Sequence, residues 1–364
     1  MDKNLVNTDW KYLCQYFPSN LSDLAKGCGA VVRWRNIKNG EELLRVILAY
    51  AMDDLSLRST AAWSSQTALE LKDTSVLHRL RKAPPLLEKV LAHLLTQRLR
   101  AEPAPGPEFR INDATVLSIP GSQGTDWRLH AVYDPAHCRL RQVEITDSQG
   151  GERLDRDRPR PGDIVCGDRG LAHARGIHAV TEAGAYVLVR MHWQNIRLEE
   201  AGGRSLDLNK ILRRADAADT GTIVYVPLVG KPPVRARLLI RPLPSEAVNR
   251  SRQRLRRNAA KKGRTPNATA LRLAGYFCVL TTLPEPLASD EVVLELYRIR
   301  WQIELFFKRC KGILNFDQLR AFDPGLVRTY CLAKLIEAAL IQCLHEDVIS
   351  FSPWGVPRCR RVAA

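Results

Sequence analysis

Apolar positions recur at helical spacing through the first hundred residues. Leu21, Leu24 and Ala25 make one such set, and Leu43, Leu44, Ile47 and Leu48 another. Leu55–Trp63 and Val76–Lys82 read as short helices, the second ending in Arg79, Arg81 and Lys82. Helix-turn-helix DNA binders share that pattern, and so do plain helical bundles. Ala83-Pro84-Pro85 stops one helix, and Leu86–Leu99 starts the next. Residues 101–107 carry three prolines in seven positions and mark a linker.

Beyond the linker the pattern changes to strands. Phe109–Ile119, Arg128–Tyr133 and Arg139–Thr146 form three, with turn residues between. Asp163–Gly167 is a short apolar strand, Leu171–Glu182 a helix and Ala185–Met191 a further strand. Antiparallel strands followed by alternating helix and strand predict an α/β fold. Residues 193–283 break the alternation with three strands, Thr222–Val229, Val234–Ile240 and Tyr276–Thr282. From Asp290 to about His345 the chain is helical again. The division expected is a helical N-terminal DNA-binding domain over 1–100 and an α/β core over 108–192. A β-rich insertion over 193–283 follows, then C-terminal core helices over 284–350 and a loose tail over 351–364.

Charge narrows the function. The 364 residues hold 55 Lys and Arg against 39 Asp and Glu, a net charge of +16, which calls for an acidic partner such as nucleic acid. The basic run Asn249–Arg264 contains Arg254, Arg256 and Arg257 and no acid. It reads either as an arm that tracks DNA phosphates or as a solvated loop. The best apolar runs, Leu43–Met52 and Leu332–Leu344, are too short and too charged to span a membrane. The first residues hold no signal-like apolar stretch, so residence in the cytoplasm, on the nucleoid, is expected. Nine scattered cysteines without a Cys-x-x-Cys argue against a disulfide framework and a zinc ribbon.

The most informative segment is Tyr297–Lys311. On a helical wheel Tyr297, Arg300, Trp301, Glu304, Lys308 and Lys311 share one face, within about 100° of one another. Ile299, Ile303, Phe306 and Cys310 occupy the opposite face, which can dock on a sheet. One carboxylate among cations is either an i, i+4 ion pair, Arg300 with Glu304, or part of a phosphate-handling metal site. Metal-assisted hydrolysis needs several converging carboxylates. Asp113 lies within the first strand and Asp168 ends the short apolar one. An acid in an apolar strand is costly unless paired or metal-bound.

Tyr297, Arg300, Glu304 and Lys311 match, at every position, the Tyr-x2-Arg-x3-Glu-x6-Lys signature of one insertion-sequence class. On those residues the chain resembles a DDE transposase over roughly residues 40–345. Asp113 in Asn-Asp-Ala-Thr resembles the family's first aspartate, Asp168 in Gly-Asp-Arg-Gly its second, and Glu304 its glutamate. The resemblance implies a ribonuclease-H-like α/β core with a β-rich insertion. It implies Mg²⁺ or Mn²⁺, two ions, held by Asp113, Asp168 and Glu304. Double-stranded DNA would be the partner, as transposon terminal inverted repeats and as target, with a homodimer at synapsis. Tyr297, Arg300, Lys308 and Lys311 would contact DNA beside the cut. Trp301 would either stack on a displaced base or pack between helices. A non-catalytic DNA binder derived from such an enzyme is the competing reading.

Overall fold

The computed structural model describes residues 3–67, 69–100, 106–216 and 221–351. The expected tail beyond Phe351 and most of the proline linker lie outside them. The N-terminal hundred residues form helices α1 (Lys3–Cys14), α2 (Leu21–Gly27), α3 (Gly40–Met52), α4 (Leu57–Gln66), α5 (Asp73–Lys82) and α6 (Pro84–Arg100). Asn39 caps α3 by accepting from Glu42 N at 2.8 Å, while Glu42 accepts from Lys38 N at 2.7 Å. Gly40 is required at the α3 start, because a Cβ there would stand 2.7 Å from the Leu21 backbone carbon. Pro84 opens α6, where its missing N–H costs nothing.

Eight strands form one sheet: β1 (Phe109–Leu117), β2 (Trp127–Asp134), β3 (Arg139–Asp147), β4 (Ile164–Gly167), β5 (Tyr186–Arg190), β6 (Thr222–Leu228), β7 (Lys231–Pro242) and β8 (Tyr276–Thr281). Their order is β3-β2-β1-β4-β5-β8-β7-β6. β1 is antiparallel to β2 and parallel to β4, which is parallel to β5. The five strands β3-β2-β1-β4-β5 are the ribonuclease-H-like core that the resemblance implies. Strands from residues 193–283 do not stand apart from it: β8 pairs with β5, and β7 and β6 extend the same sheet.

Alternation along the strands gives the sheet two buried faces. Val165, Val187 and Val189 point to one, which α7 (Ala174–Glu182) and α8 (Leu208–Asp216) cover. Ile111, Cys166 and Leu188 point to the other, beneath α11 (Asp290–Arg298), α12 (Trp301–Leu314) and α13 (Pro324–Phe351). Two more helices, α9 (Ser245–Ala260) and α10 (Ala268–Leu273), lie between β7 and β8 in sequence.

The linker separates chain segments but not cores. α3, α5 and α6 pack on α13, and their Leu43, Ile47, Leu80 and Leu87 belong to the cluster that holds Ile111 and Phe306. Each fully buried Leu or Ile adds roughly 1.5–3 kcal/mol, so this shared core fixes the N-terminal helices against the sheet. Lys334 of α13, 2% exposed, crosses the joint. It donates to Met52 O at 3.1 Å and ion-pairs Asp54 at 3.7 Å and Glu337 at 3.6 Å. Arg237 ties β7 to the start of α11 through Asp290 at 2.7 Å and the carbonyls of Leu283 and Ala288.

Candidate active site

Sheet register assembles the site. β1 and β4 pair Ile111 with Cys166, and β4 and β5 pair Cys166 with Leu188. All three side chains are wholly buried. Two residues further on, past the covered part of the face, the same row continues as Asp113, Asp168 and Arg190. The charged residues thus line up where β4 and β5 end, beside Asp113 midway along β1.

Helix α12 lies over β1 and brings in Glu304. Tyr297 to Lys311 is not one unbroken helix: α11 ends at Arg298 and α12 starts at Trp301, with Ile299 and Arg300 in a turn of right-handed helical backbone. Past that joint, within α12, the expected division of faces holds. Ile303, Phe306, Phe307 and Cys310 are buried, while Trp301, Glu304 and Lys308 are exposed. Lys311 Nζ donates to Val116 O at 3.2 Å, pinning α12 to β1.

Arg300 occupies the centre. Its Nη1 lies 3.4 Å from Asp113 Oδ2, and its Nη2 pairs closely with Glu304 Oε1. Its guanidinium also sits 5.8 Å above the Tyr297 ring. Burial works against the Arg300 charge, but Tyr297, Glu304 and Asp113 more than offset it, so its pKa is raised. Asp113 Oδ1 accepts from Ala114 N at 2.8 Å; Asp168 Oδ1 accepts from Gly170 N at 2.7 Å and Leu171 N at 3.2 Å. Burial first, then the neighbouring Asp168, pushes the Asp113 carboxyl up to about 7; the Ala114 N–H and Arg300 pull it down and Glu304 adds to the rise. Asp168 and Glu304 are therefore each within electrostatic reach of Asp113. Among the described residues, however, no three His, Cys, Asp or Glu side chains stand at metal-ligating separation. Arg300, between Asp113 and Glu304, supplies the positive charge there. The hard oxygen donors fit a divalent cation such as Mg²⁺ or Mn²⁺.

Tyr297 differs from its expected place at the DNA surface. It is 7% exposed, its ring packs against Phe277 at a tilt of 60° with centroids 5.5 Å apart, and its hydroxyl has no hydrogen-bond partner. Trp301, by contrast, is 52% exposed at the start of α12 and is not packed between helices. Asp113, Glu304, Lys308 and Lys311 line one open groove. The basic run is a helix, α9, with no buried residue, and Arg254, Arg256 and Arg257 are all exposed on it. Arg81, a weaker candidate at the end of α5, is ion-paired to Asp323 at 3.0 Å.

Two site residues escaped the sequence reading. Arg190 reads as the end of an apolar strand, and only the register places it beside Asp168. Glu152 lies in a loop after β3. A Cβ at Gly170 would collide with its Oε2 and stand 3.2 Å from Asp168 Oδ1, so the glycine lets this fourth acid approach. Burial and Asp168 raise the Glu152 pKa. Its sequence context, Gly150-Gly151-Glu152, carries no signal of that role.

Residues 104–337 match the family model described as "Transposase DDE domain". The chain belongs to the DDE transposases. It is 35% identical over 360 residues to the InsL protein of insertion sequence element IS186A from Escherichia coli (strain K12), covering 96% of this chain and 97% of the relative. Similarity to the transposase for insertion sequence element IS421 from Escherichia coli is also 35%, over 361 residues, with the same coverage. The transposase for insertion sequence element IS231B from Bacillus thuringiensis subsp. berliner is 22% identical over 367 residues, 89% of this chain and 77% of that one. A solved piggyBac transposase synaptic complex with hairpin DNA aligns with 92% of this chain and 75% of its own at 8% identity and a TM-score of 0.41, too distant to bear on mechanism. DDE transposases are metal-dependent enzymes that cut and join DNA phosphodiesters in transposition, and this transposase is one of them. Among the described residues, no helix is long and apolar enough to cross a membrane.

Proposed function

We propose that Asp113, Asp168 and Glu304 are the catalytic carboxylates and together hold two divalent ions, Mg²⁺ or Mn²⁺. The observation that carries this reading is the row of Asp113, midway along β1, and Asp168, just past β4, with Asp113 joined to Glu304 by the Arg300 guanidinium. Bound there, the cations would activate the attacking oxygen and stabilise the leaving one. Water attacks phosphorus at a transposon end and frees a 3′-hydroxyl. That hydroxyl then attacks a second phosphodiester, in the opposite strand or in target DNA. A protein that only bound DNA would have no use for Asp113 and Glu304 in a groove that lysines line.

The cations around the acids divide the remaining work. Lys308 and Lys311 line the groove beside Asp113 and Glu304 and receive the phosphates of the cut strand. Trp301, exposed one turn before Glu304, is free to stack on a displaced base. Tyr297 is buried, so its part is to hold Arg300 by its ring, and Arg300 positions Asp113 and Glu304. Arg254, Arg256 and Arg257 on α9 track the duplex backbone. Two copies pair when two terminal inverted repeats are brought together, in the cytoplasm at the nucleoid.

The test is cleavage of duplexes carrying the gene's own flanking sequences, with Mg²⁺ or Mn²⁺, by wild type and by Glu304→Gln. Metal-dependent cuts at the ends, lost in the variant while DNA binding persists, support the reading. Equal cutting by both proteins refutes the assignment of Glu304.

A further inference from the structure

Arg190 is the third member of the Asp113–Asp168 row, and Arg169 follows Asp168 directly. We propose that Arg169 and Arg190 form a second phosphate-binding wall, which grips the DNA backbone on the β5 side of the scissile phosphate, opposite Lys308 and Lys311. The proposal rests on the reading of Asp113, Asp168 and Glu304 as the cutting site.

Three observations carry it. The first is place. Asp113, Asp168 and Arg190 share one face of three neighbouring strands, because Ile111, Cys166 and Leu188 do so two residues earlier. Lys311 is anchored on β1 at Val116, so the acids stand between it and Arg190. β1 and β5 are two strand spacings apart, about 10 Å. At roughly 3.4 Å of rise per nucleotide, a backbone crossing that distance offers two or three phosphates.

The second is charge without compensation. The buried arginines of the described residues are committed to acids, Arg110 to Asp157 and Asp163, Arg139 to Asp134 and Arg237 to Asp290, whereas Arg190 is half-buried and Arg169 exposed. No carboxylate of the described residues ion-pairs Arg169 or Arg190. Arg169 is the electrostatic neighbour of both Arg190 and His192. His192 Nδ1 is buried and has no hydrogen-bond partner.

The third is preorganisation. Arg190 lies 5.4 Å over the Phe277 ring, Phe277 packs against Tyr297, and Arg300 lies over the other ring. The aromatic pair thus carries a guanidinium at each end, one engaged with Asp113 and Glu304 and one with no acid. Arginine at such a stacked position presents its fork to a phosphate at little entropic cost.

The test is fluorescence anisotropy with a 30-base-pair duplex of the gene's flanking sequence, titrated with salt in EDTA. Proteins compared are wild type, Arg169→Gln, Arg169→Gln/Arg190→Gln and Arg190→Lys. Each lost phosphate contact makes the slope of log K against log salt shallower by about 0.9, so we expect that change in the single variant and twice that in the double. Arg190→Lys keeps the charge and is expected to hold the wild-type slope, which separates lost contact from misfolding. A wild-type slope in the double variant overturns the proposal. Binding in EDTA needs no metal ligand, so an unchanged Glu304→Gln cleavage rate would sink the carboxylate reading and leave this comparison intact.

Discussion

Arg300 Nη1 lies 3.4 Å from Asp113 Oδ2 while its Nη2 pairs with Glu304, so one guanidinium joins strand β1 to helix α12. The sequence allowed an i, i+4 ion pair or a phosphate-handling site, and the geometry contains the ion pair inside the site. Removing this group leaves two acids facing each other with no counter-ion. We expect Arg300→Gln to cut the flanking-end duplex at least ~10²-fold more slowly than wild type. Arg300→Lys is expected to restore little, because a point charge cannot serve two carboxylates and the Tyr297 face together. Wild-type cleavage by Arg300→Lys would remove the bridging role.

Asp113 makes stability depend on pH. Its carboxyl is raised by burial and by Asp168 from 3.8 to about 7, so the folded state binds this proton more tightly than the unfolded one. Its stabilising contribution is full below pH 3.8 and is lost as the pH rises through about 7. Asp113→Asn has no such loss. In EDTA the variant is expected to gain Tm relative to wild type between pH 4 and pH 8, by a few degrees. A Tm difference independent of pH would contradict the raised pKa.

Much of this was legible because strands and helix faces announce themselves by period. Phe109, Arg139 and Tyr276 each begin a strand where alternation sets in. Glu304 draws attention by its spacing from Tyr297, Arg300 and Lys311, and it lines the groove with Asp113. Sheet pairing was not legible. Nothing local tells β8 to pair with β5, and that pairing merges the expected insertion with the core sheet. Arg190 and Glu152 were missed for the same reason: their place near Asp168 is made by register and by a loop. Tyr297 was misplaced because a wheel drawn through Ile299 and Arg300 cannot know that Phe277 covers its ring.

Lys334 holds the N-terminal helices to α13 from a fully buried position. Lys334→Met leaves Glu337 and Asp54 without their cation. The expected loss is about 3–5 kcal/mol in urea unfolding, partly recovered in Lys334→Met/Glu337→Gln. A neutral Lys334→Met would mean that the pair adds nothing to the joint.

The exposed cations of α9 offer a separate electrostatic test. Replacing Arg254, Arg256 and Arg257 with Gln is expected to weaken binding to all duplexes alike and to make the salt slope shallower by up to ~2.7. Sequence preference among ends is expected to stay the same. An unchanged slope would place α9 outside the DNA interface.

Direct ligation of metal by the three acids is the central claim. Its most direct measurement is end cleavage by Asp168→Cys and Glu304→Cys in Mg²⁺ and in Mn²⁺. Sulfur is a poor ligand for Mg²⁺ and a better one for softer metals. We expect both variants to be inactive in Mg²⁺ and to regain cleavage in Mn²⁺, while wild type cuts in either. Cleavage lost or kept to the same degree in both metals would contradict ligation by these residues.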